Sequence, residues 1–163
     1  MRSLPETSHE RHELIEPYVD RLPELAEMIG RATPEAFSQA FQEECSFIIG
    51  RLVPHMEAIE STLYGRLEQV MDGRHSMAPM RQEHERLRGL FGSLCVYGEL
   101  VAAEGLTEGD QVGLRRVLYR LYAMLKVHLA EEDLYVGVLD RNLSAEEKDV
   151  LAQGIDHARS EPL

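Results

Sequence analysis

The stretch 114–139 constrains the fold more than any other, because its apolar residues recur at the period of an α-helix. At about 100° per residue, these positions fall on one line along a helix. The apolar positions are Leu114, Leu118, Leu121, Leu125, Val136 and Leu139. His128 and Glu132 interrupt this line, and Glu132 lies near its centre. A carboxylate in an apolar core is costly unless a cation or hydrogen bonds compensate it, so we expect a partner for Glu132.

Two kinds of partner fit a histidine and a carboxylate that lie one helical turn apart on the same face. His128 and Glu132 can both be ligands of a metal ion, since imidazole nitrogen and carboxylate oxygen are common metal-binding atoms. The alternative is a buried hydrogen bond between histidine and glutamate without a metal. The rest of the chain is needed to distinguish the two.

Helical periods and capping residues define four further helices and no strand, which predicts an all-α fold. The first is expected over about residues 6–30, the second over 33–71 and the third over 76–104. The stretch described above belongs to a fourth helix over about 107–142, opened by Thr107 and Asp110 in a capping-box arrangement. Ser144 and Glu147 form a second capping box, which predicts a short fifth helix to about residue 158.

Prolines predict irregularities in the first two helices. Pro17 and Pro23 lack backbone donors, so we expect the first helix to be kinked or to begin in two pieces. Pro54 predicts a bend in the second helix one residue before His55.

Composition and charge limit the function classes. The 163 residues, 44% of them apolar, suit one domain over 1–163. The net charge of −12 argues against nucleic-acid or membrane partners, because it repels phosphates and anionic lipids. No stretch resembles a signal peptide or a membrane span. Cys45 and Cys95 have neither metal-binding spacing nor disulfide density, so we expect a soluble protein of a reducing cytoplasm.

Each of the four long predicted helices carries one histidine on the inner face or its edge. These histidines are His12, His55, His84 and His128. Glu60 and Glu132 add a carboxylate about one turn after two of them, and Asp133 is a further candidate. In an antiparallel bundle such groups can converge on one axis. Imidazoles and carboxylates suit iron or manganese, and one shared metal cluster explains four inward histidines better than four separate reasons.

In their order and helix placement, these motifs resemble the hemerythrin-like HHE cation-binding family from about His12 to Asp140. The matching stretches are 12–15, 54–60 with Leu63 and Tyr64 after it, 80–87 and 128–135. The resemblance implies an up-down four-helix bundle, here with a short extra C-terminal helix, around a non-haem di-iron site. The family uses such sites for oxygen or nitric oxide binding, iron or redox sensing, or peroxide chemistry.

The second helix departs from the family pattern. The family usually places a carboxylate four residues after the histidine, but here Ile59 holds that position and the acid is Glu60. A five-residue step also occurs between His128 and Asp133, and that spacing is found on the fourth helix of oxygen-carrying hemerythrins. A five-residue step at His55 and Glu60 is therefore geometrically conceivable.

The third helix also departs from the family pattern. Oxygen carriers place two histidines one turn apart there, whereas Met80 and Arg88 flank His84 in this chain. One nitrogen ligand is therefore missing, which argues against simple reversible oxygen carriage. Tyr18 and Tyr122 lie near the edges of the apolar faces and offer a phenolate, although core packing explains tyrosines at such positions more often.

The predicted site is a di-iron centre bridged by oxo and carboxylate groups, with manganese as the other metal that suits the ligands. The ligands are predicted to be His12, His55, His84, His128, Glu60 and Glu132, with Asp133 as a further candidate. We expect the site to meet oxygen, nitric oxide or peroxide, and catalase-like peroxide disproportionation is the activity to assay first. The alternative is an interaction or sensor module whose degenerate site binds one metal or none.

Overall fold

The computed structural model describes the backbone of residues 4–74 and 76–157, and the side chains of residues 12–74 and 76–153. All regular structure in these ranges is helical, which confirms the all-α prediction for the described part of the chain. The five helices are α1 (Leu4–Met28), α2 (34–70), α3 (Ala78–Ala102), α4 (Glu108–Asn142) and α5 (Ala145–His157). The predicted end of α5 at residue 158 lies outside the described residues.

Helix α2 is continuous, but two π-helical segments interrupt its α-helical geometry. They are Ile48–Leu52 and Glu60–Tyr64. At the end of the first, the N–H of Val53 bonds the carbonyl of Ile48, five residues back instead of four. This segment ends two residues before Pro54, which has no N–H to donate, and the bend predicted at Pro54 stays a prediction. A π turn changes which residues that follow it share a helix face.

Helix α1 contains Pro17 and Pro23 and still runs as one helix from Leu4 to Met28. Of the two forms expected for this segment, the two-piece form is not found. Val19 and Leu22 are almost fully buried, as the helical period predicts. Packing of this apolar face compensates for the donors that the prolines remove.

The four long helices pack in a ring, and the C-terminal part of α2, Gly65–Val70, also contacts α4. Helix α1 packs against α2 and α4, and α3 likewise packs against α2 and α4. The short helix α5 lies against α1 and the middle of α2. None of the described helices combines the length and apolarity needed to cross a bilayer.

Two apolar clusters fill the interior of the ring and leave a polar layer between them. On α4, Leu129 belongs to the first cluster and Val136 to the second, and Glu132 lies between them in the chain. On α3, His84 likewise lies between Met80 of the second cluster and Leu87 of the first. The helices therefore carry their polar residues at the same level of the interior.

The start of α4 is fixed by the predicted capping box. The hydroxyl of Thr107 accepts a hydrogen bond from the N–H of Asp110, and the carboxylate of Asp110 accepts one from the N–H of Thr107.

We expect Thr107→Ala to lower the free energy of unfolding by about 1 kcal/mol, because the helix start loses a capping acceptor. Denaturant unfolding measures the change. Ser93→Ala, which alters a hydroxyl within α3, serves as control and is expected to change stability by less than about 0.5 kcal/mol.

Candidate metal centre

Glu132 is the central residue of the polar layer and is only 1% exposed. Its Oε1 lies 3.4 Å from Nε2 of His12 and 3.5 Å from Nε2 of His55. Its Oε2 lies 3.6 Å from Nε2 of His128. The predicted partner of this buried carboxylate is therefore a set of imidazoles contributed by α1, α2 and α4.

Three atoms at one side of Glu132 have the arrangement of a metal site. Nε2 of His12, Nε2 of His55 and Oε1 of Glu132 are buried and have no hydrogen-bond partner. The three residues offer ligand atoms that all lie within 4.8 Å of one another. Two ligands held about 2.1 Å from one tetrahedral cation are themselves about 3.4 Å apart. The separations of 3.4 and 3.5 Å therefore fit a shared cation.

His84 and His128 form a second group on the other side of Glu132. Their Nε2 atoms are 2.8 Å apart. Nδ1 of His84 lies 2.6 Å from Glu60, and Nδ1 of His128 lies 3.1 Å from Glu83. A carboxylate beside Nδ1 places the proton on that nitrogen and leaves a lone pair on Nε2. With both protons on Nδ1, the two Nε2 lone pairs would lie at this hydrogen-bond distance of 2.8 Å, an arrangement that a cation bound to both nitrogens would stabilise.

Carboxylates outside the central layer lie beside Nδ1 of three of the rings. Besides Glu60 and Glu83, Asp133 lies 2.9 Å from Nδ1 of His12. Its side chain is 46% exposed, because one residue after Glu132 the helix has turned by about 100°. Such outer carboxylates orient metal-binding histidines and fix their tautomers. The structure places Glu60 and Asp133 beside Nδ1 atoms, and their direct binding to metal stays a prediction.

Comparison with known families agrees with this geometry. The family model of the hemerythrin HHE cation binding domain matches residues 4–139. The chain belongs to the hemerythrin HHE cation-binding family. The match confirms the predicted family and covers α1, α2, α3 and most of α4 but not α5. No curated protein and no solved structure gives a significant match to the chain.

The charges of this candidate centre follow from burial and from neighbouring groups. Burial raises the pKa of Glu132, but His12 and His55 outweigh burial and hold that pKa well below its ordinary value. Burial, together with the neighbouring His128, lowers the pKa of His84 to about 4. Burial also lowers the pKa of His12, but Glu132 and Asp133 reverse this effect and raise it overall. At neutral pH the centre therefore offers an ionised carboxylate and a neutral His84.

The helical period identified the four histidines and Glu132, but it missed two residues of the candidate centre. Glu83 precedes His84 and contacts His128 across the interface of α3 and α4. Tyr64 is fully buried, and its hydroxyl lies 3.2 Å from Nε2 of His84. Both residues occur in stretches that resemble the family, but no spacing within one helix links them to the histidines that they contact.

The two tyrosines considered from the sequence have other surroundings. The ring of Tyr18 stacks on Phe47 with a centroid distance of 3.8 Å. Tyr122 is half-buried against the first apolar cluster. The core-packing explanation therefore fits both of them, and Tyr64 is the tyrosine with a described contact to a histidine of the centre.

Proposed function

We propose that this chain is a non-haem di-iron protein in which Glu132 bridges two cations. The observation that carries the proposal is the position of this one buried carboxylate between two groups of histidines. Its Oε1 faces His12 and His55, and its Oε2 faces His128. Membership of a cation-binding family supports the same conclusion.

The first cation position lies between His12, His55 and Glu132. It is supported by buried nitrogen and oxygen atoms that have no hydrogen-bond partner. Burying His12, His55 and Glu132 without hydrogen bonds at the three central atoms costs free energy unless a cation binds them. Two imidazole nitrogens and one carboxylate oxygen leave further coordination positions open for a small ligand.

The second cation position is supported by the lone pairs of His84 and His128. The outer carboxylates Glu60 and Glu83 lie beside the Nδ1 atoms, so in the neutral rings the proton is on Nδ1 and the lone pair of Nε2 can bind a metal. Glu60 is itself held by Arg88, whose guanidinium lies 2.9 Å away. In this proposal Glu60 orients His84. The acid that lies one residue after the family position, which Ile59 occupies here, therefore still has a role in the site.

The architecture proposed for the domain is the up-down four-helix bundle with α5 as an extra helix. The ring of packed helices and the short connections 29–33, 71–77 and 103–107 support it. A single domain over 1–163 and a cytoplasmic location remain part of the proposal.

Iron bound in this layer would supply redox chemistry and bind oxygen, nitric oxide or peroxide, and manganese suits the same ligands. The chain contributes the imidazoles that hold the cations and the outer carboxylates that orient them. The apolar clusters on both sides limit the access of water to the layer. Catalase-like peroxide disproportionation is the activity that we propose to assay first.

Metal analysis tests the proposal directly. We expect about two irons per chain after expression in iron-supplemented medium, because the layer contains two groups of metal-binding atoms. Oxo-bridged ferric pairs also absorb in the near ultraviolet through charge transfer. Protein that contains neither iron nor manganese after expression in medium supplemented with both would contradict the proposal.

The alternative function is an interaction or sensor module with a degenerate centre. The burial of Ile59 in the second apolar cluster favours it, because the family carboxylate is missing there. Thermal unfolding with and without chelator distinguishes the two functions. If the melting temperature rises with the concentration of added iron, metal binding is coupled to the folded state and the di-iron proposal is supported. An unchanged melting temperature favours the alternative.

A further inference from the structure

The hydroxyl of Tyr64 lies beside the second cation position. Its oxygen is 3.2 Å from Nε2 of His84, and the residue is fully buried. His84 uses its other nitrogen for Glu60, so the tyrosine contacts the nitrogen that faces the interior. Without a cation, the phenol donates a hydrogen bond to the lone pair of His84.

The separations around His84 are those of neighbouring ligands on one cation. Bonds of about 2.1 Å place neighbouring ligand atoms about 3.0 Å apart at right angles and about 3.4 Å apart in a tetrahedron. The separation is 3.2 Å between Tyr64 oxygen and His84 Nε2 and 2.8 Å between the two histidine nitrogens. It is 3.6 Å between Nε2 of His128 and Oε2 of Glu132.

The π-helical segment Glu60–Tyr64 helps to explain how Tyr64 reaches this position. Nine residues after His55, at about 100° per residue, a regular α-helix would place Tyr64 about 180° from that histidine. The wider turn of a π segment changes this angle. Tyr64 is the last residue of the segment, and π turns inside α-helices are frequent at functional sites.

We propose that the hydroxyl oxygen of Tyr64 is a fourth donor of the cation position formed by His84, His128 and Glu132. This inference rests on the proposed function and names a ligand that the family resemblance did not supply. Burial and the neighbouring carboxylates raise the pKa of Tyr64, so its hydroxyl keeps its proton when no cation is present. A bound cation would displace this proton, which would pass to solvent.

The consequence is a chemically asymmetric pair of positions. His12, His55 and Glu132 offer two nitrogens and one oxygen, whereas the second position adds an anionic phenolate. A hard anionic oxygen stabilises the ferric state over the ferrous state. The cation next to Tyr64 is therefore the one that is harder to reduce.

Optical spectroscopy of Tyr64→Phe tests the assignment, because phenylalanine keeps the buried ring and removes only the hydroxyl. Ferric iron bound to a phenolate absorbs visible light by charge transfer, and resonance Raman at that band shows tyrosinate vibrations. We expect both signatures in the iron-loaded protein and neither in Tyr64→Phe. Tyr18→Phe, whose ring stacks on Phe47 outside the centre, is the matched control and is expected to keep them.

Iron content measured on the same samples separates this inference from the proposed function. Tyr64→Phe is expected to retain iron at the position of His12 and His55, so its iron content stays above zero. About two irons per chain without tyrosinate vibrations would overturn the role of Tyr64 and leave the di-iron proposal standing. A band that persists in Tyr64→Phe would also overturn the role of Tyr64. Wild-type protein that contains neither iron nor manganese after expression in medium supplemented with both would overturn both proposals.

Discussion

Glu132→Gln is expected to lose at least one iron per chain while keeping the shape of the side chain. Glu132 contacts histidines of both groups and is the ionised carboxylate at the centre of the layer. The amide retains an oxygen but removes the negative charge that two cations share, so both positions bind metal more weakly. Metal analysis of purified protein measures the loss, and circular dichroism shows whether the variant remains helical.

Glu131→Gln is the matched control because it makes the same change one residue earlier. Glu131 is half-buried, lies about 100° away from Glu132 around the helix, and is expected to leave the iron content unchanged. Asp133→Asn is expected to have an intermediate effect, since Asp133 orients the ring of His12. Equal iron content in Glu132→Gln and wild type would show that the centre is built around Asp133, or that it lies elsewhere.

Glu44→Gln is expected to stabilise the protein at alkaline pH. Glu44 lies on the buried face of α2 with Phe37, Phe41 and Phe47, and is 2% exposed. Burial raises its pKa from 4.5 to about 7, an effect that Arg21 only partly offsets. Because the folded state holds this proton more tightly than the unfolded state, stability is highest below pH 4.5 and falls as the pH rises to about 7. Glutamine has no charge to bury and removes this loss.

The expected difference follows from the size of the shift. A change from 4.5 to about 7 corresponds to about 3 kcal/mol. Denaturant unfolding at about pH 5 and about pH 8 is expected to show an advantage of Glu44→Gln that grows by roughly this amount. Glu43→Gln changes the exposed neighbour that bonds Arg21, and is expected to gain no such advantage. An advantage of Glu44→Gln that stays constant with pH would contradict the assigned cause.

The helices and the residues at the centre of the layer could be predicted from the sequence pattern. Helical periods and capping boxes located five helices within a few residues of their observed bounds. The interruption of an apolar line by His128 and Glu132 predicted a buried carboxylate with a compensating partner, and Glu132 is buried beside three histidines. These features could be predicted because the side of one regular helix on which a residue lies depends only on the spacing of residues along the chain.

Which side chains meet across helices could not be predicted from the sequence, because it depends on how the helices pack. The contacts of Glu60 with His84, Glu83 with His128 and Asp133 with His12 depend on the register between helices, which no single helical period contains. The period also assumes about 100° for every residue, and the π segment that ends at Tyr64 departs from that angle. In a regular helix, Tyr64 would lie on the face opposite His55. The contact between Tyr64 and His84 could therefore not be predicted from the helical period.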